Sequence, residues 1–319
     1  MPAAGEDRLL RWLRDQLDEP LIGDDAAVLP AGGPFAVTVD HQIAGIHFPS
    51  GLDEAIIAKR LLAVNLSDLA AMGAIPAYAF LALAAPAGFD HKRFFTSFLA
   101  ACRDFGVRLA GGDLARSDRF TAALTLMGTQ EESGRWLSRS GASPGHALWL
   151  GGTVGESAAG RMLIERTGLP PSFEAFSSPL RAAARHAVRR HLHPEPQLAL
   201  GRWLATRPEG AAMDVSDGVA RDLHRLCRAS GAGAEITAEA LPLPDRFGEL
   251  CKTIDADPLA LALGGGEDYV LLFTLPEGDA PPEGFGARRI GSITKGREVR
   301  LARDGKPAPL PELGWDHLG

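Results

Sequence analysis

Cysteine is scarce in this chain of 319 residues, which contains only three. Cys102, Cys227 and Cys251 lie far apart, and their spacing matches no zinc-binding or dithiol redox pattern. A disulfide or zinc framework is therefore excluded as the basis of the fold. We expect three buried or inert thiols in a reducing cytosol.

Long apolar runs and an excess of basic residues are also missing. The most apolar stretch, residues 77–89, is too short to span a bilayer and contains Pro86. The N-terminus carries both acidic and basic residues, unlike a signal peptide. The net charge of −7 argues against a nucleic-acid partner. We therefore expect a cytoplasmic protein without a membrane or nucleic-acid partner, although bound cations would still permit a small anionic substrate.

Several nucleotide and catalytic motifs are absent from the sequence. There is no G-x-x-x-x-G-K-[ST], no G-x-G-x-x-G after a strand and no H-R-D. D-F-G occurs once, at Asp104-Phe105-Gly106, but without the H-R-D motif that accompanies it in protein kinases. These absences exclude P-loop, Rossmann and protein-kinase folds. The one G-x-S-x-G match, at residues 141–145, contains Pro144 and lies in a segment rich in glycine, serine and charge. It does not join a strand to a helix as a nucleophile elbow does, so it does not support a serine-hydrolase interpretation.

The sequence instead contains six short segments in which aspartate stands beside glycine, serine or asparagine, mostly after an apolar run. A single such segment is typical of a turn. Six carboxylate segments that converge in a fold would repel each other unless hard cations held them together, and magnesium prefers such oxygen ligands. We therefore predict a metal-dependent phosphate site. The segments are Gly23-Asp24-Asp25, Thr38-Val39-Asp40, Asn65-Leu66-Ser67-Asp68, Gly111-Gly112-Asp113, Asp214-Val215-Ser216-Asp217 and Gly264-Gly265-Gly266-Glu267-Asp268.

Asp68 is the most informative single residue because it interrupts an otherwise apolar helical stretch. Aspartate is a poor helix former and is costly to bury, so its presence there indicates a function. Asn65 and Ser67 lie beside it and extend the polar patch. The alternative is that Asp68 lies on the wet edge of the helix.

Two segments in the second half of the sequence each have a functional and a structural interpretation. Asp214 and Asp217 flank Ser216, so the carboxylates could bind one ion cluster while Ser216 meets a phosphate. Simple capping of the next helix is the alternative. In the glycine-rich segment, Glu267 and Asp268 are candidate ligand contacts, and a tight turn is the alternative.

Three histidines lie close together among arginines. His186, His191 and His193 are compatible with metal ligation, but a basic, solvated helix end explains them as well.

Strand and helix patterns mix along the first half of the chain. Residues 35–39, 77–85 and 120–129 predict strands, and residues 53–72 predict a long helix that Gly73 ends. A short apolar run at 107–110 leads into the glycines that precede Asp113.

A composition change marks the predicted domain boundary. Residues 131–145 are rich in glycine, serine and charge and include Pro144. Strands and helices mix on both sides of this segment, which predicts an α/β or α+β protein with two domains. We expect an N-terminal domain over 1–135, which binds ATP and metal and dimerises, and a C-terminal domain over 136–319.

Taken in order, the motifs resemble the thiamine-monophosphate kinase family, within the superfamily that includes aminoimidazole ribonucleotide synthetase. The resemblance spans nearly the whole length in unbroken order. The matching stretches are Ile22 to Leu29, Val39-Asp40, Gly45 to Phe48, Ala63 to Ala74, Gly111-Gly112-Asp113, Ser138 to Ala142, Asp214 to Gly218, Gly265 to Tyr269 and Gly314 to His317.

The resemblance implies an architecture and an activity. Family members have an N-terminal α/β domain that dimerises through a shared β-barrel, and a C-terminal α+β domain. ATP and several Mg²⁺ ions bind between the domains, and thiamine monophosphate is phosphorylated to thiamine diphosphate. Because the acceptor is already a phosphate, we expect direct in-line transfer from ATP without a protein nucleophile.

The resemblance also implies roles for individual residues. The metal ligands would be Asp25, Thr38, the carbonyl of Val39, Asp40, Asp68, Asp113, Asp214 and Asp217. The carboxylates expected to serve catalysis among these are Asp40, Asp68, Asp113 and Asp217. The ATP contacts would be Gly112, Asp113, Arg139 and Ser216. The thiamine monophosphate contacts would be His47, Glu267 and Trp315.

The sequence departs from the family pattern at two places. His41-Gln42 follows Asp40, and Leu114-Ala115 follows Asp113, where hydroxyl residues are usual. Two alternatives therefore stay open. One is another ATP-dependent enzyme of the same superfamily, and the other is a catalytically silent protein that binds nucleotide or thiamine phosphate.

Overall fold

The structure is a computed structural model that describes Trp12 and residues 15–17, 33–174 and 176–315. The chain divides into two compact units. The first comprises Met1–Leu69 and Ala74–Gln130, and the second comprises Ala70–Gly73 and Glu131–Gly319.

The first unit is built on a four-stranded sheet with the order β1-β4-β2-β3. Strand β4 pairs antiparallel with β1 and β2, whereas β2 and β3 are parallel. The elements are β1 (Phe35–Ile43), α1 (Glu54–Ala71), β2 (Ile75–Ala85), α2 (His91–Asp104), β3 (Arg108–Arg116) and β4 (Thr121–Thr129).

The two faces of this sheet differ in burial because successive strand residues point to opposite sides. Leu83 and Leu124 represent the core face and are almost fully buried. Val37 and Val39 of β1 point the other way and are 57% and 60% exposed. The described strands form an open sheet with β1 and β3 at its edges, so one copy closes no barrel.

The second unit is built on a seven-stranded sheet with the order β11-β10-β7-β9-β5-β8-β6. Its pairs are antiparallel except for β7 with β10. The elements are β5 (Ala147–Leu150), α3 (Glu156–Thr167), α4 (Ser178–Leu192), α5 (Leu198–Ala205), β6 (Ala212–Asp214), α6 (Val219–Ser230), β7 (Gly233–Thr237), α7 (Phe247–Thr253), α8 (Pro258–Gly264), β8 (Leu271–Leu275), β9 (Arg288–Thr294), β10 (Val299–Arg303) and β11 (Lys306–Pro309).

Two apolar clusters form the core of the second unit. The larger includes Leu150, Leu223 and Leu272 and joins β5, α6 and β8. The smaller includes Leu200 and Phe273 and lies around α5 and β8. Together they hold α5 and α6 against the sheet that carries Asp214.

The predicted helix over 53–72 and strand over 120–129 are confirmed within one residue at each end. Strand β3 differs from the expectation, since it continues through Gly111 and Gly112 to Arg116. The glycines allow this because a Cβ at Gly112 would collide with the carbonyl oxygen of Leu81 on β2. Asp113 is therefore a strand residue and not part of a turn.

The thiols are buried, as the sequence predicted. Burial raises the pKa of Cys102 to about 12 and the pKa values of Cys227 and Cys251 to about 11, so all three stay protonated and unreactive. No helix among the described residues is long and apolar enough to cross a membrane.

Candidate functional site

The polar patch of α1 faces strand β1 in the first unit. Asn65 is fully buried, accepts a hydrogen bond from the Asp40 backbone N–H at 3.1 Å and donates to the Leu61 carbonyl at 2.9 Å. Ser67 is fully buried as well. The asparagine that interrupts the apolar helix therefore fixes the backbone of Asp40.

Asp68 contacts the same strand directly. Thr38 Oγ1 donates to Asp68 Oδ2 at 2.5 Å, and the pair is partly buried. The contact ties Asp68 to β1 and does not leave it on a solvated helix edge. The structure thus brings together the predicted residues Thr38, Asp40 and Asp68, and Val39 lies between the first two on β1.

Asp113 lies on a different edge of this sheet. It belongs to the exposed part of β3, next to Gly112, and pairs in register with Ala82 of β2. Strands β4 and β2 separate it from Asp40 on β1 within one copy. The first unit therefore does not place Gly112 and Asp113 on the strand that carries Thr38 and Asp40.

His47 lies in the turn that follows β1. Its Nδ1 accepts a hydrogen bond from the Ile43 backbone N–H at 3.0 Å, so the neutral ring carries its proton on Nε2. Arg60, an almost fully buried arginine of α1, donates to the His47 carbonyl at 3.2 Å. Arg60 could not be predicted as a site residue, because only its burial distinguishes it from other arginines.

In the second unit, Asp214 is the last residue of β6, and the loop between β6 and α6 carries Ser216 and Asp217. The carboxylate of Asp222, in the first turn of α6, accepts hydrogen bonds from the backbone N–H groups of Ser216 at 3.1 Å and Asp217 at 3.0 Å. Helix α6 has no side-chain cap, so the capping interpretation of Asp214 and Asp217 is wrong. Instead, the Asp222 side chain on the helix holds the loop through these two backbone hydrogen bonds.

Arg225 links the two acidic residues of this loop and helix. Its Nη1 lies 2.5 Å from Asp217 Oδ2 and 2.9 Å from Asp222 Oδ1. Asp222 is fully buried, and burial followed by the nearby charge of Asp217 raises its pKa to about 6. Neither Asp222 nor Arg225 was predicted as a site residue, because charged residues at i, i+3 spacing are ordinary on a helix and only burial sets Asp222 apart.

Backbone hydrogen bonds join the glycine-rich segment and the C-terminal segment to this loop. The Glu267 N–H donates to the Ser216 carbonyl at 2.7 Å, and the Trp315 N–H donates to the Asp217 carbonyl at 3.0 Å. A Cβ at Gly266 would lie 2.8 Å from the Ser216 carbonyl oxygen, so glycine is needed for this approach. The unit thus brings together Ser216, Asp217, Glu267 and Trp315.

Asp268 is a structural residue and not the ligand contact that the sequence suggested. It is 3% exposed, and its carboxylate accepts hydrogen bonds from the N–H groups of Gly155 at 2.8 Å and Ser157 at 3.3 Å. Burial raises its pKa to about 7. Asp268 therefore anchors the segment to the start of α3.

Arg139 lies apart from Ser216, the other ATP contact predicted in this unit. The Arg139 carbonyl accepts a hydrogen bond at 2.7 Å from Ser230, the last residue of α6, whereas Ser216 precedes the start of that helix. A helix of 12 residues is about 18 Å long. The Arg139 backbone and Ser216 therefore lie near opposite ends of α6.

The side chains predicted to bind metal supply the oxygen donors that Mg²⁺ prefers. No set of three His, Cys, Asp or Glu residues suited to a metal ion occurs in the described part of the chain, which excludes Asp25. Magnesium usually binds through one or two carboxylates, waters and substrate phosphates, so the Thr38–Asp68 pair and the Asp217 loop are compatible with it.

The interpretation of the histidines as a solvated helix end holds only in part, because one histidine of α4 is buried and another is half exposed. His191 is fully buried, and its Nδ1 lies 3.3 Å from Glu267 Oε2. His186 is half exposed and lies 3.3 Å from the buried carboxylate of Glu156. The Glu156–His186 pair lines a cavity of about 660 Å³ next to α7, and none of the predicted site residues lines it.

Comparisons with known proteins identify two family models along the chain. AIR synthase related protein, N-terminal domain, matches residues 23–130, and AIR synthase related protein, C-terminal domain, matches residues 143–304. Together they cover most of the sequence.

Curated relatives and solved structures match the chain over nearly its full length. Thiamine-monophosphate kinase of Salmonella typhimurium is 37% identical, with 93% of this chain and 91% of the relative covered. The enzyme of Escherichia coli strain K12 is 36% identical with the same coverage. The crystal structure of thiamine-monophosphate kinase from Stenotrophomonas maltophilia K279a has a TM-score of 0.79 and 33% identity, with 95% and 96% covered. A structure of AaThiL complexed with AMPPCP and TMP has a TM-score of 0.79 and 29% identity, with 98% and 97% covered.

Proposed function

We propose that this chain, which belongs to the thiamine-monophosphate kinase family of the AIR synthase related proteins, phosphorylates thiamine monophosphate to thiamine diphosphate with ATP. The observation that carries the proposal is the 37% identity to a thiamine-monophosphate kinase over 93% of the chain. The two groups of carboxylates described above support it.

We assign the metal ligands to the two groups and to residues outside them. Thr38, the Val39 carbonyl, Asp40 and Asp68 act in the first unit, and Asp214 and Asp217 act in the second. Asp113 and Asp25 complete the proposed set, and Asp25 lies outside the described residues. Bound Mg²⁺ would supply positive charge to neutralise the phosphates of both substrates.

We divide the proposed substrate contacts between ATP and thiamine monophosphate. Gly112, Asp113, Arg139 and Ser216 bind ATP. His47, with its proton on Nε2, donates to the phosphate of thiamine monophosphate. Glu267 and Trp315 bind the thiamine, whose thiazolium ring carries a permanent positive charge that suits a carboxylate and an indole face.

The reaction is a direct in-line transfer. An oxygen of the thiamine phosphate attacks the γ-phosphorus of ATP, the bond to the bridging oxygen breaks, and ADP leaves. The acceptor oxygen is already negatively charged, so the protein residues position the two substrates and need not remove a proton. No side chain becomes phosphorylated in this scheme.

The protein functions as a homodimer in which two copies of the four-stranded sheet close a β-barrel. The exposed side chains of Val37 and Val39 support this arrangement, because exposed apolar side chains on the edge strand of the described sheet favour a partner. Light scattering at micromolar concentration should give twice the chain mass of 33.7 kDa. A monomer mass would contradict the proposed barrel.

An ATP-consumption assay with thiamine monophosphate tests the function against the two alternatives. The proposal predicts ADP formation that depends on thiamine monophosphate, with unphosphorylated thiamine as the control acceptor. ATP consumption only with another acceptor would identify a different enzyme of the superfamily. Tight binding of both ligands without turnover would identify a silent binding protein.

A further inference from the structure

His191 lies between the start of α3 and Glu267. It belongs to α4 and is fully buried. Its Nδ1 lies 3.1 Å from Ser157 Oγ and 3.3 Å from Glu267 Oε2. One ring nitrogen therefore faces both a hydroxyl and the carboxylate proposed to bind thiamine.

The charge of Glu267 determines which tautomer His191 adopts. A carboxylate facing the lone pair of Nδ1 would be repelled, whereas a carboxylate facing an Nδ1–H group accepts a hydrogen bond. The ring therefore carries its proton on Nδ1 and donates it toward Glu267, and the Ser157 hydroxyl oxygen accepts from the same N–H. Hydrogen bonds to an ionised acceptor are the stronger kind, which holds the carboxylate in place.

Residues of α3 and α4 also hold the backbone next to Glu267. Glu267 has a φ of 58°, a left-handed conformation that non-glycine residues seldom adopt. The next residue, Asp268, accepts from the Ser157 N–H, while Arg190 donates to the Asp268 carbonyl at 3.2 Å. Helix α4 and the start of α3 thus fix both the backbone and the side chain of this segment.

We infer that His191 is a positioning residue that fixes the Glu267 carboxylate as a preorganised anion for the thiazolium ring of thiamine monophosphate. The inference rests on the proposed kinase function. His191 does not contact the substrate, and Ser157 orients its ring. Holding the carboxylate in advance lowers the ordering cost of binding thiamine and leaves ATP binding unaffected.

Substitution of His191 tests the inference by steady-state kinetics. His191→Leu should raise the KM for thiamine monophosphate about tenfold, with the KM for ATP and kcat within about twofold. His191→Asn, whose amide can donate from nearly the position of Nδ1, should restore most of the affinity. His186→Leu is the matched control on the same helix and should leave both KM values unchanged. Equal increases in the two KM values for His191→Leu would overturn the inference.

A double-mutant cycle separates positioning from general damage. In the Glu267→Ala background, His191→Leu should have no further effect on the KM for thiamine monophosphate, whereas independent effects would overturn the inference. If His191→Leu fails to fold, Ser157→Ala replaces it and should raise the same KM about threefold.

The ring-nitrogen NMR shifts of His191 in the complete wild-type protein provide a readout apart from activity. We expect protonated Nδ1 in the wild type and a shift of the proton toward Nε2 in Glu267→Ala. An unprotonated Nδ1 in the wild type would overturn the inference. A wild type with this tautomer but without kinase activity would overturn the proposed function and, with it, the role of His191 in thiamine binding.

Discussion

The two units hold their acidic residues by different means. In the first unit, side chains of a helix contact a strand: Asn65 bonds the Asp40 backbone and Asp68 bonds Thr38. In the second unit, the loop is held from within its own helix, because Asp222 binds the loop N–H groups and Arg225 bridges Asp217 and Asp222.

This difference has a consequence for substitution. The first group depends on a few contacts between distant segments, so loss of one carboxylate should affect function more than folding. In the second group, buried charges on the helix hold the loop. Substitution of the residues that support the loop, Asp222 and Arg225, should therefore reduce stability as well as function.

Asp68→Asn should produce the largest effect, with kinase turnover reduced at least about a thousandfold. The asparagine oxygen can still accept from Thr38, and the loss of one charge relieves repulsion in the metal-free protein, so the Tm without metal should hold or rise. Steady-state assays and thermal denaturation measure the two effects. Asp118→Asn, in the exposed bend between β3 and β4, is the control. Near-normal turnover of Asp68→Asn would remove Asp68 from the site.

Asp268→Asn should change the pH dependence of stability. The pKa of Asp268 is raised from 3.8 to about 7, so its contribution to stability is fully present below pH 4 and is lost as the pH rises through about 7. Between pH 5 and pH 8, the wild type should therefore lose stability relative to the variant by a few kcal/mol. Denaturant unfolding across this range measures the difference. Parallel pH profiles would show that Asp268 is ionised throughout.

Little of this contrast could be predicted from the sequence. The polar patch at Asn65 and Asp68 was predicted because it interrupts an apolar helix, but its contact with β1 depends on how distant segments pack and was not predicted. Asp222 gave no such signal, since a charged residue in the first turn of a helix is ordinary. Burial makes Asp222 and His191 important, and burial depends on elements that are distant in sequence.

Arg225→Gln should destabilise the second unit by about 2 kcal/mol, because it leaves the buried carboxylate of Asp222 without its cationic partner. The matched control is Arg228→Gln on the same helix. Arg228 pairs with Glu312 in an exposed contact and should contribute under about 1 kcal/mol. Chemical denaturation compares the two variants. Equal losses would contradict the view that the Asp217 loop depends on buried charge.

Trp315→Ala should have the smallest effect, confined to one substrate. The indole is 48% exposed, so it does not act as a hydrophobic plug that fixes the chain end. A cation–π contact with thiazolium contributes about 0.5–2 kcal/mol, which corresponds to a KM for thiamine monophosphate up to about thirtyfold higher. The KM for ATP should hardly change. Leu313→Ala, at a neighbouring exposed position, controls for local packing, and a joint rise in both KM values would contradict stacking on thiamine.

Mass spectrometry can follow the formation of thiamine diphosphate from thiamine monophosphate and ATP, with and without a chelator, and so test the metal-dependent kinase reaction itself. We expect thiamine diphosphate and ADP in equal amounts with Mg²⁺ or Mn²⁺, and neither product when the chelator is in excess. Product that persists in excess chelator would contradict the role of the acidic residues, and an absence of product with Mg²⁺ would contradict the proposed kinase function.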